Sequence, residues 1–483
     1  MNVKMMGRFI AQIVAIEAAF MVPAMAISAG YGEWVAVQAF AITLAVMLAL
    51  AGGLYALCRR AGKLFGAREG LVCVAISWTV MSLLGALPLT LCGQVPHYID
   101  ALFEIVSGFT TTGASVIADV EGLYRGILYW RSFTHWIGGM GVLVFLLAIL
   151  PSGNGAGFTM HLLRAESPGP DVGKLVPKMR QTATILYVIY VALTVINFIF
   201  LLAGDMHWLY ALCTAFGTAG TGGFGVFNDS MGSLSPYIQN VTTVFMFLFG
   251  VTFSCYYLLL MGKFRNVFKD EELRFYVGFA IACVAALVLS IRPLYGTLEE
   301  TVRHAAFQVS SIMTTTGFST TDFDVWPGFA KGILLLLMLV GACAGSTGGG
   351  LKCMRVLLLF KVLRRNIRQI LNPQKVLVVR SNEKAVDEKV LSNTNAYFAA
   401  YVIILVLSTL VLSLDGFSTE TNLSAAIATF NNIGPGLGGV GPACNFSAFS
   451  DLSKITMCLT MLAGRLEIFP ILVLFSRSTW KRK

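Results

Sequence analysis

The sequence predicts an all-α protein that crosses a membrane many times: two leading helices, then four similar units of helix, short re-entrant helix, glycine turn and helix. Three observations carry that expectation. Of 483 residues, 56% are hydrophobic and 12% charged, about half the charge of an ordinary soluble chain. Apolar stretches of about 20 residues, the length of a bilayer-spanning helix, recur along the chain; Thr182–Ala203 and Val241–Met261 are two. The intervening segments then alternate between basic and acidic. Together these exclude a disordered chain, a disulfide-stapled secreted domain and an ordinary soluble enzyme.

The expected spans are 9–29, 35–57, 71–92, 127–150, 181–203, 237–262, 275–291, 328–351, 395–414 and 453–475. The first follows Lys4 and Arg8, lacks a convincing cleavage site and reads as an uncleaved span. Most of the 35 Lys and Arg lie in the N-terminus, 58–70, 151–180, 263–274, 352–393 and 476–483. Acidic residues such as Glu33, Asp119, Asp229, Asp324, Asp415 and Asp451 fall on the other side. The positive-inside rule puts the basic side, and both termini, in the cytoplasm. The net charge of +10 is therefore an orientation signal rather than a nucleic-acid footprint. The ten cysteines form no CxxC pair and mostly sit in apolar runs, where they read as small buried hydrophobes. The histidines (His97, His135, His161, His207 and His304) lack metal-ligand spacing and read as structural or surface groups. No organic or covalent cofactor is expected.

The outer segments hold apolar stretches too short to span, each followed by a glycine turn. LFEIVSGFTTTG ends at Gly113, ALCTAFGTAGTG at Gly222, AFQVSSIMTTTG at Gly317 and LSAAIATFNNIG at Gly434. The first and third are alike at half of their positions over 102–115 and 306–319. Aligned on these glycines, the chain divides into leading helices 1–69 and repeats 70–165, 166–270, 271–375 and 376–483. Irregular backbone at membrane depth persists only where protein or water surrounds it. Four such hairpins around one axis would present rings of main-chain carbonyls that replace the hydration shell of a cation. Glycine supplies the positive φ that turns consecutive carbonyls one way. Each short helix adds the negative end of its dipole. With no carboxylate ring in the TTTG segments, the chemistry fits a monovalent ion, with the short helices as pore helices and the turns as a filter.

These residues resemble the Trk/Ktr/HKT superfamily of potassium transporters, and the two leading helices resemble its bacterial TrkH type. TTTGAS (110–115), GTGGFG (220–225), TTTGFS (314–319), NNIGPGLGG (431–439), WRSFTHWIGGMG (130–141) and GACAGSTGGGLKCMR (341–355) carry the resemblance. It implies one pore per subunit, a homodimer, potassium uptake across the bacterial cytoplasmic membrane and a cytosolic nucleotide-binding regulatory subunit of the TrkA type. By position, it implies potassium binding by Thr111, Thr112 and Gly113; by Gly220, Thr221 and Gly222; by Thr315, Thr316 and Gly317; and by Asn432, Ile433 and Gly434. Glycine at all four filter places goes with preference for potassium over sodium. The second and fourth hairpins depart from the Thr-Thr pattern.

The stretch 328–358 is interrupted by Gly341, Gly345, Ser346, Thr347, Gly348, Gly349 and Gly350, more glycine than a helix holds. It reads as a kink that lets helices approach or as a gating loop, and the resemblance favours the loop. Shortening it should then leave the pore constitutively open. Arg465 lies inside the last span. It either snorkels or pairs with Glu467, or it projects toward the pore as an electrostatic barrier, which the resemblance favours. Glu104 is a candidate brace for the filter, and Glu17 carries no assigned role. The basic stretch 352–393 reads as a lipid-headgroup anchor or as the regulator's dock. A secondary transporter of another cation or small solute remains an alternative; it would usually carry two inverted repeats. An enzyme would need a cluster of intramembrane reactive groups that the sequence does not display.

Overall fold

The computed structural model describes residues 2–59, 67–141 and 179–480. The inner half of the fourth expected span, the boundary at 165, His161 and the basic residues of 151–178 lie outside the described residues. The leading helices are α1 (Val3–Gly30) and α2 (Trp34–Leu57). They are followed by α3 (Ala67–Gly85), α4 (Leu87–Leu91), α5 (Tyr98–Phe109) and α6 (Arg125–Met140). Next come α7 (Met179–Leu202), α8 (Trp208–Gly220), α9 (Pro236–Phe249), α10 (Phe253–Leu260), α11 (Phe264–Lys269) and α12 (Glu271–Ile291). Then follow α13 (Leu298–Met313), α14 (Gly328–Val340), α15 (Cys353–Leu371), α16 (Glu388–Leu412), α17 (Thr419–Phe430), α18 (Asp451–Arg465), α19 (Phe469–Phe475) and α20 (Arg477–Trp480). One two-residue hairpin, Arg380–Ser381 against Lys384–Ala385, joins α15 to α16.

Six segments among the described residues are long and apolar enough to cross a bilayer: Val3–Gly30, Trp34–Leu57, Arg68–Leu91, Ala183–Leu202, Glu271–Leu294 and Glu388–Asp415. Each starts one of the expected units or forms a leading helix. The expected closing spans are the irregular ones. The span at 237–262 is two helices bent by 89° at Gly250–Thr252. The span at 328–351 is α14 followed by a loop. The span at 453–475 breaks between α18 and α19, where Glu467 and Ile468 take positive φ. An apolar run is legible as a run, but where it breaks depends on what the freed backbone groups bond to.

The short helices α5, α8, α13 and α17 occupy the interior, and most of their residues are buried. Local chemistry starts three of them. Thr297 Oγ1 receives the Glu300 N–H at 3.2 Å and Ser418 Oγ the Thr421 N–H at 3.2 Å, while His207 Nδ1 receives the Leu209 N–H at 3.4 Å. Small residues let the closing helices reach the ends of the short ones. A Cβ on Gly138 would overlap the carbonyl of Phe109, and one on Gly464 the carbonyl of Phe430. That is the close backbone approach on which membrane helices pack.

Candidate functional site: a ring of four hairpins and the loop beside it

Each short helix ends in the same way. Thr111, Thr221, Thr315 and Asn432 adopt left-handed φ of 55°, 52°, 59° and 56°. Their N–H groups bond the carbonyls of Gly108, Thr218, Ile312 and Thr429. The next N–H reaches farther back: Thr112 to Ser107, Gly222 to Gly217, Thr316 to Ser311, and Ile433 to Ala428, at 2.8–2.9 Å. This is the Schellman closure of a helix C-terminus. Glycine or Asn is usual at the left-handed position, and a β-branched residue there is an outlier costing about 1–2 kcal/mol. Three threonines at equivalent places mark concentrated strain of the kind found at functional sites.

One residue beyond that closure stands a glycine of positive φ: Gly113 (81°), Gly223 (74°), Gly317 (87°) and Gly434 (102°). These four lock the hairpins into a ring. A Cβ on Gly113 would overlap the carbonyl oxygen of Gly222; on Gly223, that of Thr316; on Gly317, that of Ile433. A Cβ on Gly434 would lie 2.8 Å from the carbonyl oxygen of Thr112 and close the circle. Each hairpin therefore presses its glycine against the main-chain oxygen of the next, in the order one, two, three, four, one. Only glycine satisfies both the dihedral and the contact.

The ring corrects one expectation. The sequence aligns the second hairpin on Gly222, but both the φ pattern and the neighbour contact put Gly223 level with Gly113, Gly317 and Gly434. The equivalents of Thr111 and Thr112 are Thr221 and Gly222, and Gly220 falls level with Thr110. GTGG offers two registers to an eye looking for one glycine, and only the backbone chooses between them.

Behind the first hairpin, Glu104 is fully buried and paired with Arg131. It also accepts from Ser115 Oγ at 3.0 Å and from the Val116 N–H at 3.0 Å. It is a brace of the hairpin's outgoing arm. The side-chain amide of its counterpart in the third hairpin, Gln308, has no hydrogen-bond partner among the described residues. Asn432 donates to Thr112 Oγ1 at 3.0 Å and to the Met461 carbonyl at 2.9 Å, tying the fourth hairpin to the first. Glu17 is buried in α1, its Oε1 beside the place a Cβ on Gly85 would take. Neither of its carboxylate oxygens is hydrogen-bonded among the described residues. Outside the ring, the Asn228 amide (3.1 Å) and the Gly122 N–H (3.2 Å) hold the exposed Asp119 carboxyl below its ordinary pKa.

Gly341–Leu351 forms an irregular loop on the helix-end side of the ring. Gly341, Gly345 and Gly350 have φ of 74°, 73° and 78°. The Gly349 N–H donates to Thr315 Oγ1 at 2.6 Å. A Cβ on Gly349 would overlap the Asn431 carbonyl, and one on Gly348 would lie 2.8 Å from that of Thr314. The loop fills the break in the neighbouring bent span: Cys343 N–H bonds Gly250 O at 3.1 Å, and Phe253 N–H bonds Gly345 O at 3.1 Å. Arg465 donates to the Thr347 carbonyl at 2.8 Å and to those of Gly138 and Gly139, the latter at 2.6 Å. It thus bridges the loop to the end of α6. Glu467 pairs instead with Arg355, whose guanidinium also covers the Tyr397 ring at 4.0 Å.

Two loop anchors escaped the sequence reading. Buried Glu272 accepts the N–H groups of Ala344 (2.6 Å) and Met354 (3.0 Å), clamping both ends of the loop from α12. Buried Lys352, at φ 73°, donates its ammonium to the Gly348 carbonyl. Glu272 sits two residues beyond the N-cap Asp270 and is masked in the sequence by the ordinary acidic first turn of a helix.

Residues 36–482 match the sequence profile of TrkH, described as a cation transport protein. The chain is 36% identical over 451 residues to the Trk system potassium uptake protein TrkH of Escherichia coli K12, covering 92% of each chain. It is 35% identical over 490 residues to the protein of that name from Halomonas elongata, covering 100% of both. The crystal structure of the potassium transporter TrkH from Vibrio parahaemolyticus superposes with a TM-score of 0.89 at 30% identity, covering 100% of both chains.

Proposed function

The chain belongs to the TrkH family of cation transport proteins, and we propose that it takes up potassium through the ring of four hairpins. The observation that carries this reading is the cyclic contact of Gly113, Gly223, Gly317 and Gly434 with the carbonyls of Gly222, Thr316, Ile433 and Thr112. It gathers four sets of main-chain oxygens about one axis, the ligand chemistry a dehydrated alkali ion requires. The binding set is Thr111, Thr112 and Gly113; Thr221, Gly222 and Gly223; Thr315, Thr316 and Gly317; and Asn432, Ile433 and Gly434. Four helix C-termini converge on it and favour a cation without a fixed carboxylate. The membrane potential, about 2.3 kcal/mol per charge per 100 mV, draws the ion inward.

In this reading the loop 345–350 is the gate. It lies against the ring, and Arg465 holds it closed while placing a positive charge beside the conduction path. A cytosolic nucleotide-binding partner of TrkA type would move it by acting on the basic helix α15, and two copies of the chain would form the unit in the bacterial cytoplasmic membrane. The test is rubidium uptake into proteoliposomes under an imposed potential, competed by potassium and sodium. Uptake competed strongly by potassium and weakly by sodium is expected. Equal competition overturns the potassium assignment, and absence of uptake at every voltage favours a carrier of another solute.

A further inference from the structure

We propose that His135 supplies, from a neighbouring helix, the side-chain brace that the second hairpin lacks, and that it thereby positions the ring for discrimination between potassium and sodium. The inference rests on the potassium reading above and concerns one residue of that site. Hairpins one and three are braced from within. Thr110 and Thr112 hydroxyls lie 2.8 Å apart, and those of Thr314 and Thr316 2.7 Å. The corresponding positions of the second hairpin are Gly220 and Gly222, which have no side chain to pair.

The imidazole of His135, on α6, occupies the space beside them. A Cβ on Gly222 would overlap its Cγ, Nδ1 and Cδ2, and one on Gly220 would overlap the His135 carbonyl. The ring is fully buried and packs on Phe224 with centroids 4.1 Å apart. Its Nε2 lies 3.2 Å from the Phe224 backbone nitrogen, which has only a hydrogen to offer. Nε2 is therefore the acceptor, and Nδ1, 2.8 Å from the Gly108 carbonyl, carries the proton and donates it. These two partners assign a single neutral tautomer.

The imidazole so joins the last turn of α5, which leads into the first hairpin, to the residue directly after Gly223. One turn earlier on α6, Arg131 repeats the link farther out. It pairs with Glu104, donates to the Gly225 carbonyl at 3.2 Å and to Ser115 Oγ at 3.2 Å, and lies 3.7 Å from the Phe224 ring centre. Two side chains of one helix thus clasp hairpins one and two. The departure of the second hairpin from TTTG and the presence of His135 are one packing solution: glycine opens the volume and imidazole fills it. A carbonyl that drifts by a fraction of an ångström there changes how well the ring fits one alkali ion over another.

The test compares rubidium uptake and its competition by sodium in wild type, His135→Ala, Gly222→Ser and the double variant, each checked for folding by elution and melting in detergent. His135→Ala should still take up rubidium but be about tenfold more sensitive to sodium, the weight of roughly one buried hydrogen bond. Gly222→Ser should lose uptake, because its side chain meets the imidazole. The double variant should recover uptake and part of the discrimination. His135→Ala with the wild-type sodium sensitivity overturns the inference, as does a double variant no better than Gly222→Ser. If His135→Ala does not fold, His135→Gln and His135→Asn decide. Gln retains an acceptor near the ε position and should keep discrimination that Asn loses; equal sensitivity in both overturns it. A wild type that fails to discriminate removes the potassium reading itself, whereas a discriminating wild type beside an unaffected His135→Ala removes only this inference.

Discussion

The ring and the loop beside it are both irregular backbone at membrane depth, but they are held in opposite ways. Each hairpin closes itself with two main-chain N–H groups that donate to carbonyls three and five positions back, and each glycine is then wedged against the next hairpin. The loop 341–351, besides local bonds such as that of Lys352 to the Gly348 carbonyl, is fastened by groups of other elements: Arg465 from α18, Glu272 from α12, Thr315 from the third hairpin and the Gly250 break. Self-closed backbone moves only if its own helix ends unwind. Backbone fastened from outside moves when its fasteners let go. The contrast separates a self-held element from a releasable one.

Breaking the ring should have the largest effect. Gly317→Ala places a methyl on the Ile433 carbonyl at φ 87°, and rubidium uptake should fall to background with the protein still folded; normal uptake would refute the packed ring. Arg465→Ala should act in the opposite direction. It removes several charge-assisted bonds worth about 1.5–3 kcal/mol each, and flux without a regulator should rise tenfold or more. Unchanged flux would exclude Arg465 as a latch.

Glu272→Ala frees both ends of the loop and should raise flux by a smaller factor, about five to tenfold from the loss of one to two hydrogen bonds. Hydrogen exchange should quicken at Ala344 and Met354 and not at Thr112 or Thr316. Equal quickening at both would erase the distinction between loop and ring. The smallest effect should follow Thr315→Val, which deletes the hydroxyl that accepts the Gly349 N–H and leaves the main-chain closure intact. A few-fold rise in flux with unaltered competition by sodium is expected. A change in competition instead would mean that the hydroxyl serves the ring rather than the loop.

Much of this architecture was legible beforehand. Long apolar runs and the four glycine hairpins identified the six long spans and the short helices, because bilayer thickness and glycine's free dihedrals act on local sequence. Glu104 was legible only as a candidate brace; its partner Arg131, 27 positions later, was not. Gly223 was not, since GTGG permits two alignments and the choice rests on a carbonyl of the third hairpin. Glu272 was hidden because its partners are backbone groups 72 and 82 positions away, and Lys352 because its local bond to the Gly348 carbonyl needs a loop conformation that no local pattern announces. His135 read as an unremarkable structural histidine because the glycines it fills lie 85 and 87 positions later in the chain.

By itself the sequence determined that the chain spans a membrane, that four similar hairpins interrupt it, and that positive-φ backbone would occur at three of the four aligned glycines, Gly113, Gly317 and Gly434. Those properties depend on periodicity, hydropathy and single-residue sterics, which act over a few residues. The tertiary structure alone decided which glycine meets which oxygen, where the closing spans break, and which distant side chains hold the loop. Such choices are made by contacts between segments tens of residues to more than a hundred residues apart, where an overlap of one methyl group or one unsatisfied N–H outweighs any local preference.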